Sequence, residues 1–156
     1  MGKNLGKSKK YPEAVVGTFI INRQGRMLLV KGPKWKGWNI PGGHIEYGES
    51  IFSAAAREAY EEVGLNVIPL GIIEIAEGIF PKWFSKKKHF LFFDVLCSAI
   101  GDEVRMDGRE IMEYKWAPLR RAYKDLGTNI AKDAVAYIMK SSRSHKKRKF
   151  IEVKKS

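Results

Sequence analysis

The run from Gly43 to Leu65, GHIEYGESIFSAAAREAYEEVGL, places five carboxylates and one arginine around a glycine-rich turn and a single short helix. Glu58, Glu61 and Glu62 stand three and four positions apart, so a helix carries them on one stripe. Like charges at that spacing weaken a helix by about 0.2–0.5 kcal/mol per pair, and a divalent cation reverses the sign of the effect. Oxygen-only donors favour hard ions such as magnesium or manganese over zinc. Magnesium in particular is held by few carboxylates, with waters and substrate phosphates completing its shell. His44 is the only histidine in the run, and it contains no thiol.

The neighbouring residues support that use. Gly42, Gly43 and Gly48 are expected to form a loop that takes positive dihedrals and lets main-chain atoms approach a ligand. Ser50 suits a helix N-cap, Ala54, Ala55 and Ala59 favour helix and close packing, and Gly64 suits a left-handed end. These signals predict a helix over Ser50 to Val63. Arg57, four residues before Glu61 and eight after Glu49, could brace the Glu49 carboxylate with forked hydrogen bonds. That would make it an orienter rather than a ligand.

In these residues the chain resembles the Nudix hydrolases of the MutT type. The matching positions are Gly43, Glu49, Arg57-Glu58-Ala59, Glu61-Glu62 and Gly64-Leu65, all at the family's spacing, with Trp38-Asn39-Ile40-Pro41-Gly42 as a similar lead-in. The competing reading is a solvated amphipathic helix with surface charge pairs, which does not require so full a pattern. The resemblance covers most of Val15 to Lys140. It implies an α/β/α sandwich with a mixed β-sheet and a loop-helix-loop motif. It further implies that Glu58, Glu61 and Glu62 ligate metal, with the Gly43 carbonyl as a further ligand, while Glu49 and Arg57 brace the loop.

Metal ions neutralise phosphate charge and align an in-line attack on a pyrophosphate linkage, and a nearby carboxylate can take the proton of the attacking water. Similar proteins use either a motif glutamate or one on a later loop. Arg109 to Trp116 resembles such a loop, with Glu110 the first candidate and Glu113 the second. An exposed loop carboxylate stands as the alternative for both. Glu46 reads as a loop or outer group, and His44 as structural.

Candidates for gripping substrate lie outside the motif. Lys31 ends a strand where similar proteins meet phosphate, though a solvated lysine reads equally well. Trp35, Trp83 and Phe84 could stack on a base, a contact worth about 1–3 kcal/mol. Trp38, Phe90 and Phe92 are expected to pack inside. Phe80 to Lys88 reads as an exposed loop near the site, whose lysines serve either a phosphate chain or the solubility of a hairpin tip.

A chain of 156 residues is most simply one domain. The hydrophobic segments Glu13 to Asn22 and Met27 to Lys31 read as a hairpin, Asn66 to Ala76 and His89 to Ala99 as further strands, and the part beyond Arg120 as one or two helices. The net charge of +12 is concentrated at the ends: residues 1–10 hold four lysines and no acid, and 142–156 hold seven Lys or Arg against Glu152. Residues 1–10 and 141–156 are therefore taken as basic tails around a domain at 11–140. They read as disordered and solubilising, or as a nucleic-acid contact. A lone Cys97 excludes an internal disulfide, and no apolar run reaches the roughly 18 residues of a membrane span, so a cytoplasmic protein is expected.

The functional expectation is a magnesium-dependent pyrophosphohydrolase of a nucleoside diphosphate linked to another group, foremost a nucleoside triphosphate or modified nucleotide giving a monophosphate and pyrophosphate. Pro81 keeps ADP-ribose open, and the basic tails keep an RNA 5′ end open. A Nudix-fold module that binds nucleic acid without catalysis is the reading from another class. Homodimers are common among similar proteins, but the sequence carries no interface signal.

Overall fold

The computed structural model describes residues 10–127, 129–143 and 148–154. The elements follow in the order β1 (Glu13–Ile21), β2 (Arg26–Lys31), β3 (Gly42–His44), α1 (Ile51–Val63), β4 (Asn66–Ile79), β5 (His89–Ile100), β6 (Glu113–Pro118), α2 (Leu119–Asp125) and α3 (Asn129–Arg143). The sheet runs β4-β5-β1-β2-β6, with β3 also on β1. It is mixed, because β1 and β5 are parallel while the other pairs are antiparallel.

Alternation along the strands gives the sheet two apolar faces. Val16, Ile20, Leu28, Val30, Val95 and Cys97 pack under Ala54, Ala55, Ala59 and Val63 of α1. On the other face Phe19, Met27, Leu29 and Leu96 meet Ala134, Val135 and Ile138 of α3. The result is the expected α/β/α sandwich. Burial pushes the Cys97 thiol up to about 12, so it stays protonated inside the first of these clusters.

The β1–β2 hairpin turns where Asn22 Oδ1 accepts the N–H groups of Gln24 and Arg26, both at 3.0 Å, and Gly25 takes a φ of 73°. The strands register at Ile21↔Met27 near that turn. Farther along, β1 takes β3 as its partner through Val15↔His44, Val16↔Gly43 and Gly17↔Gly42, and Val30 bonds to Asn39 instead. This splay opens the cleft that holds the candidate site.

The glycines before α1 depart from expectation. Gly48 has a positive φ, 80°, whereas Gly42 and Gly43 lie in β3. Space is what they supply: a Cβ on Gly42 would sit 2.2 Å from the Val16 carbonyl oxygen, and one on Gly43 2.4 Å from Glu58 Oε1.

At the C-terminal end α3 continues to Arg143, and Ile151 donates its N–H to the Ile72 carbonyl at 2.9 Å, adding a bridge to the edge strand β4. Phe150 covers Gly71, where a Cβ would lie 2.3 Å from its ring. Part of the expected solvated tail is thus packed on the sheet. Residues 1–9 and 144–147, which carry much of the two basic runs, lie outside the described residues. Among the described residues no helix is long and apolar enough to cross a membrane.

Candidate active site

Helix α1 starts and stops where its local chemistry dictates. Ser50 Oγ accepts from the Ser53 N–H at 3.1 Å, and Gly64, at φ 66°, donates to the Tyr60 carbonyl at 2.9 Å. Arg57 projects from its middle with an engaged guanidinium. Nε and Nη2 fork onto Glu49 at 2.8 and 3.0 Å, and Nη2 also reaches the His44 carbonyl at 2.9 Å. Nη1 donates to Glu58 at 2.8 Å and to Glu61 at 3.0 Å. Arg57 therefore does more than brace Glu49, because it also holds two further motif carboxylates.

The charges are unequal in setting. Hydrogen bonds from Arg57 hold the Glu49 carboxyl below its usual range. Desolvation raises Glu58 despite Arg57. Glu62 is pushed up to about 8 by desolvation, against the bond it accepts from the Gly42 N–H at 3.1 Å and with the charges of Glu58, Glu110 and Asp107 adding to the rise. Among the described residues no three acidic, imidazole or thiol side chains converge into a metal cage. Glu58 and Glu61 lie on Arg57, and Glu62 is turned toward β3. The donors are all oxygen and their negative charge is only partly compensated, so their chemistry fits a hard divalent cation bound by few protein ligands.

The loop that follows β5 brings Glu110 to this place. Asp107 Oδ1 accepts from the N–H groups of Arg109, Glu110 and Ile111 at 3.0, 3.0 and 2.9 Å. Burial pushes the Asp107 carboxyl up, but those donors outweigh it and hold the group below its ordinary range. The loop is tied to the end of α1 by Arg105 N–H to the Val63 carbonyl, 2.8 Å, and to β2 by Met112 N–H to the Lys31 carbonyl, 2.9 Å. Gly32 permits the approach, since its Cβ would fall 1.7 Å from the Glu110 carbonyl oxygen. Glu110 itself is paired with Lys34 at 3.0 Å, and Glu113 with Lys31 at 3.1 Å.

A cavity of about 460 Å³ runs through the cleft, and its lining includes Glu62, Glu110, Gly42 and Gly43 together with Trp35, Trp83, Phe84, Phe90 and Phe92. Trp83 lies 5.7 Å from Trp35 and stacks 6.3 Å from Phe90, while Phe84 meets Phe90 edge-on at 5.1 Å. Phe90 is buried as expected while also lining the cavity, and Phe92, expected inside, is only half-buried there. Trp38 does pack inside, under Lys115 Nζ at 4.0 Å from its ring. Lys31, Lys34, Lys86 and Lys88 also line the cavity, Lys88 paired with Glu13. His44 is paired with Glu13 at 2.7 Å, and the Glu46 side chain is exposed, its N–H given to Glu49 at 3.0 Å.

Four residues of the site escaped the sequence reading: Gly17, Gly32, Asp94 and Asp107. Asp107-Gly108 carries a turn signal, but nothing local says where that turn docks. Asp94 has a weak signal, since Phe90, Phe92 and Asp94 alternate and so share one face of β5.

Solved structures of the MutT type share this architecture. A MutT Nudix hydrolase from Burkholderia pseudomallei superposes with a TM-score of 0.67 at 25% identity, over 81% of this chain and 98% of that one. The MutT protein of Methanosarcina mazei Go1 does so at 0.68 and 20%, over 87% and 99%. The NUDIX domain family model matches residues 11–138, and the chain belongs to that family, whose hydrolases act on pyrophosphate bonds and generally use divalent cations. A Bacillus subtilis (strain 168) protein named "Putative 8-oxo-dGTP diphosphatase" is 37% identical over 102 residues, 64% of each chain. An RNA pyrophosphohydrolase of Photorhabdus laumondii is 26% identical over 147 residues, 80% of this chain and 83% of that one. Nudix hydrolase 5 of Arabidopsis thaliana is 31% identical over 109 residues, but this chain spans only 35% of its length.

Proposed function

We propose that this chain hydrolyses a phosphoric anhydride bond in a nucleotide, releasing a monophosphate and pyrophosphate from a nucleoside triphosphate or a modified form of one. The observation that carries the reading is a cavity whose lining combines the aromatic rings of Trp35, Trp83, Phe84, Phe90 and Phe92 with Lys31 and Lys34, the motif carboxylate Glu62 and the loop carboxylate Glu110. That combination of surfaces suits a nucleotide, with rings for the base and lysines for the phosphates. The carboxylates of Glu58, Glu61 and Glu62 and the Gly43 carbonyl would hold magnesium, with manganese as a substitute. The cation supplies charge neutralisation and water activation at the phosphates.

The chain's own groups do the rest. Arg57 fixes Glu49, Glu58 and Glu61 relative to one another, so Glu62, turned toward β3, is the proposed ligand that must reorient to join them. Lys31 and Lys34 are already paired with carboxylates at the rim and can exchange them for substrate phosphate oxygens. When Lys34 leaves, the Glu110 carboxylate is free to accept the proton of the attacking water, the role proposed for it here. Glu61 and Glu62 stand as the motif alternatives. Trp35, Trp83 and Phe84 offer faces on which a base can stack.

A second reading is hydrolysis at an RNA 5′ end, favoured by the RNA pyrophosphohydrolase relative and by the net charge of +12. One screen separates the two: phosphate release with magnesium or manganese across nucleoside triphosphates, ADP-ribose, dinucleoside polyphosphates and 5′-triphosphorylated RNA. Nucleotide hydrolysis that falls at least about a hundredfold in Glu62→Gln and in Glu61→Gln, with the fold retained, is the expected result. Absence of hydrolysis across the whole panel would overturn the proposal.

A further inference from the structure

The cavity contains a side chain that neither the metal end nor the aromatic wall accounts for. Asp94 sits on β5 in the same alternating row as Phe90 and Phe92, and all three line the cavity. It is 3% exposed, and its Oδ2 has no hydrogen-bond partner among the described residues. Its setting supplies negative charge. Glu74 lies directly across from it in the β4–β5 register, and Asp133 of α3 acts in turn on Glu74. On its other flank, β1 presents Gly17, where a Cβ would lie 2.5 Å from Asp94 Oδ1 and 3.0 Å from the Ile40 side chain. The missing side chain at Gly17 is thus the space the carboxyl occupies.

We propose that Asp94 reads the nucleobase. Its carboxyl, at the floor of the aromatic slot, forms a paired donor-and-acceptor contact with the edge of a base stacked beside it. Alternate residues on a strand stand about 7 Å apart, so a base lying over Phe92 turns an edge toward the next side chain in the row, Asp94. A protonated carboxyl offers an O–H donor beside a carbonyl acceptor. Such a pair is complementary to a base edge on which a ring N–H adjoins a carbonyl oxygen, or an amino group adjoins a ring nitrogen. Desolvation first, and then the charge of Glu74, push Asp94 up to about 8, which keeps that proton in place near neutrality. The orphaned oxygen is then a partner awaiting the ligand, much as a site built to bond a polar group is left unsatisfied without it.

The inference rests on the nucleotide reading above, and the test keeps the two apart. The full chain with magnesium is assayed for kcat and KM on the four common ribonucleoside triphosphates and on N1-methylguanosine triphosphate, comparing wild type with Asp94→Asn, Asp94→Ala and Gly17→Ala. Wild type should rank the bases over at least about tenfold in kcat/KM. Asp94→Ala should flatten that ranking mainly through KM. Asp94→Asn, whose carboxamide offers the same donor and acceptor, should preserve it. Gly17→Ala should flatten it with Asp94 still present. A merely structural defect would lower all substrates together and leave their order intact, and that result would overturn the inference while leaving the hydrolase reading standing. If wild type hydrolyses nothing, quenching of tryptophan fluorescence by nucleoside monophosphates decides: binding that depends on Asp94 upholds the inference without the hydrolase reading, and no binding overturns both.

Discussion

Asp94 is destabilising in the ligand-free molecule, and its consequences are measurable without any substrate. A buried polar group left unpartnered costs about 1–3 kcal/mol, and ionising it there costs more. Its pKa rises from 3.8 to about 8 on folding. The folded state therefore holds this proton more tightly than the unfolded chain. Its favourable contribution is complete below the unfolded value and is lost as pH rises through the folded one. Glu62 and Glu58 shift in the same direction, so the diagnostic quantity is the difference between two proteins rather than one slope. Denaturant unfolding of the metal-free protein between about pH 5 and about pH 9 should show stability falling with pH, and Asp94→Asn should remove on the order of a few kcal/mol of that fall. Parallel curves for the two proteins would mean that Asp94 is ionised or solvated in the native state.

At the scale of elements, the segment from Gly101 to Met112 matters more than its irregular backbone suggests. One carboxylate, Asp107, orders three consecutive N–H groups, and bonds to Val63 and Lys31 hang the loop between α1 and β2. Asp107→Ala should release Glu110 from its position, lowering kcat by about tenfold with little change in KM. Asp107→Asn, which retains an Oδ1 acceptor, should recover most of that loss. Steady-state kinetics on one substrate check both, and equal losses in the two variants would mean that the Asp107 Oδ1 acceptor does not position Glu110. Gly32→Ala should act on the same loop from the opposite side, because its Cβ would collide with the Glu110 carbonyl.

This loop also marks where the sequence stops being informative. Helix α1, its Ser50 and Gly64 caps and the Arg57 fork were legible because each depends on residues within about two turns of one another. β3 was not, because a Gly-Gly-His strand has no propensity of its own and exists by pairing with Val15, Val16 and Gly17. Phe92 read as core because alternation tells which residues share a face and not whether a helix covers it. Here α3 covers Phe19 and Leu96 and leaves the rest of that face open as the cavity. Asp94 had only its alternation with Phe90 and Phe92 to mark it, and that pattern does not tell a cavity from a covered face.

For the whole molecule, the C-terminal segment joins two properties that composition alone merges: positive charge and edge protection. β4 ends the sheet and exposes Ile68, Leu70, Ile75 and Ile79, the type of bare edge that invites pairing with another chain. Ile151 bonds to Ile72, Phe150 covers Gly71, Arg148 Nε reaches Ser141 Oγ at 2.9 Å, and Tyr137 bonds the Lys149 carbonyl, so the segment is fastened to both β4 and α3. If packing is its main contribution, Phe150→Ala should destabilise the protein by about 1–2 kcal/mol, the worth of a partly buried aromatic ring. It should also raise concentration-dependent association, read by sedimentation, while RNA affinity and its salt slope stay as they were. Replacing Lys146, Lys147 and Lys149 with Gln should do the reverse: stability is held, and if nucleic acid is bound at all, the salt dependence of binding becomes shallower. A Phe150→Ala protein that melts with wild type and stays equally monodisperse would mean that the Phe150 ring over Gly71 contributes nothing to stability or edge protection.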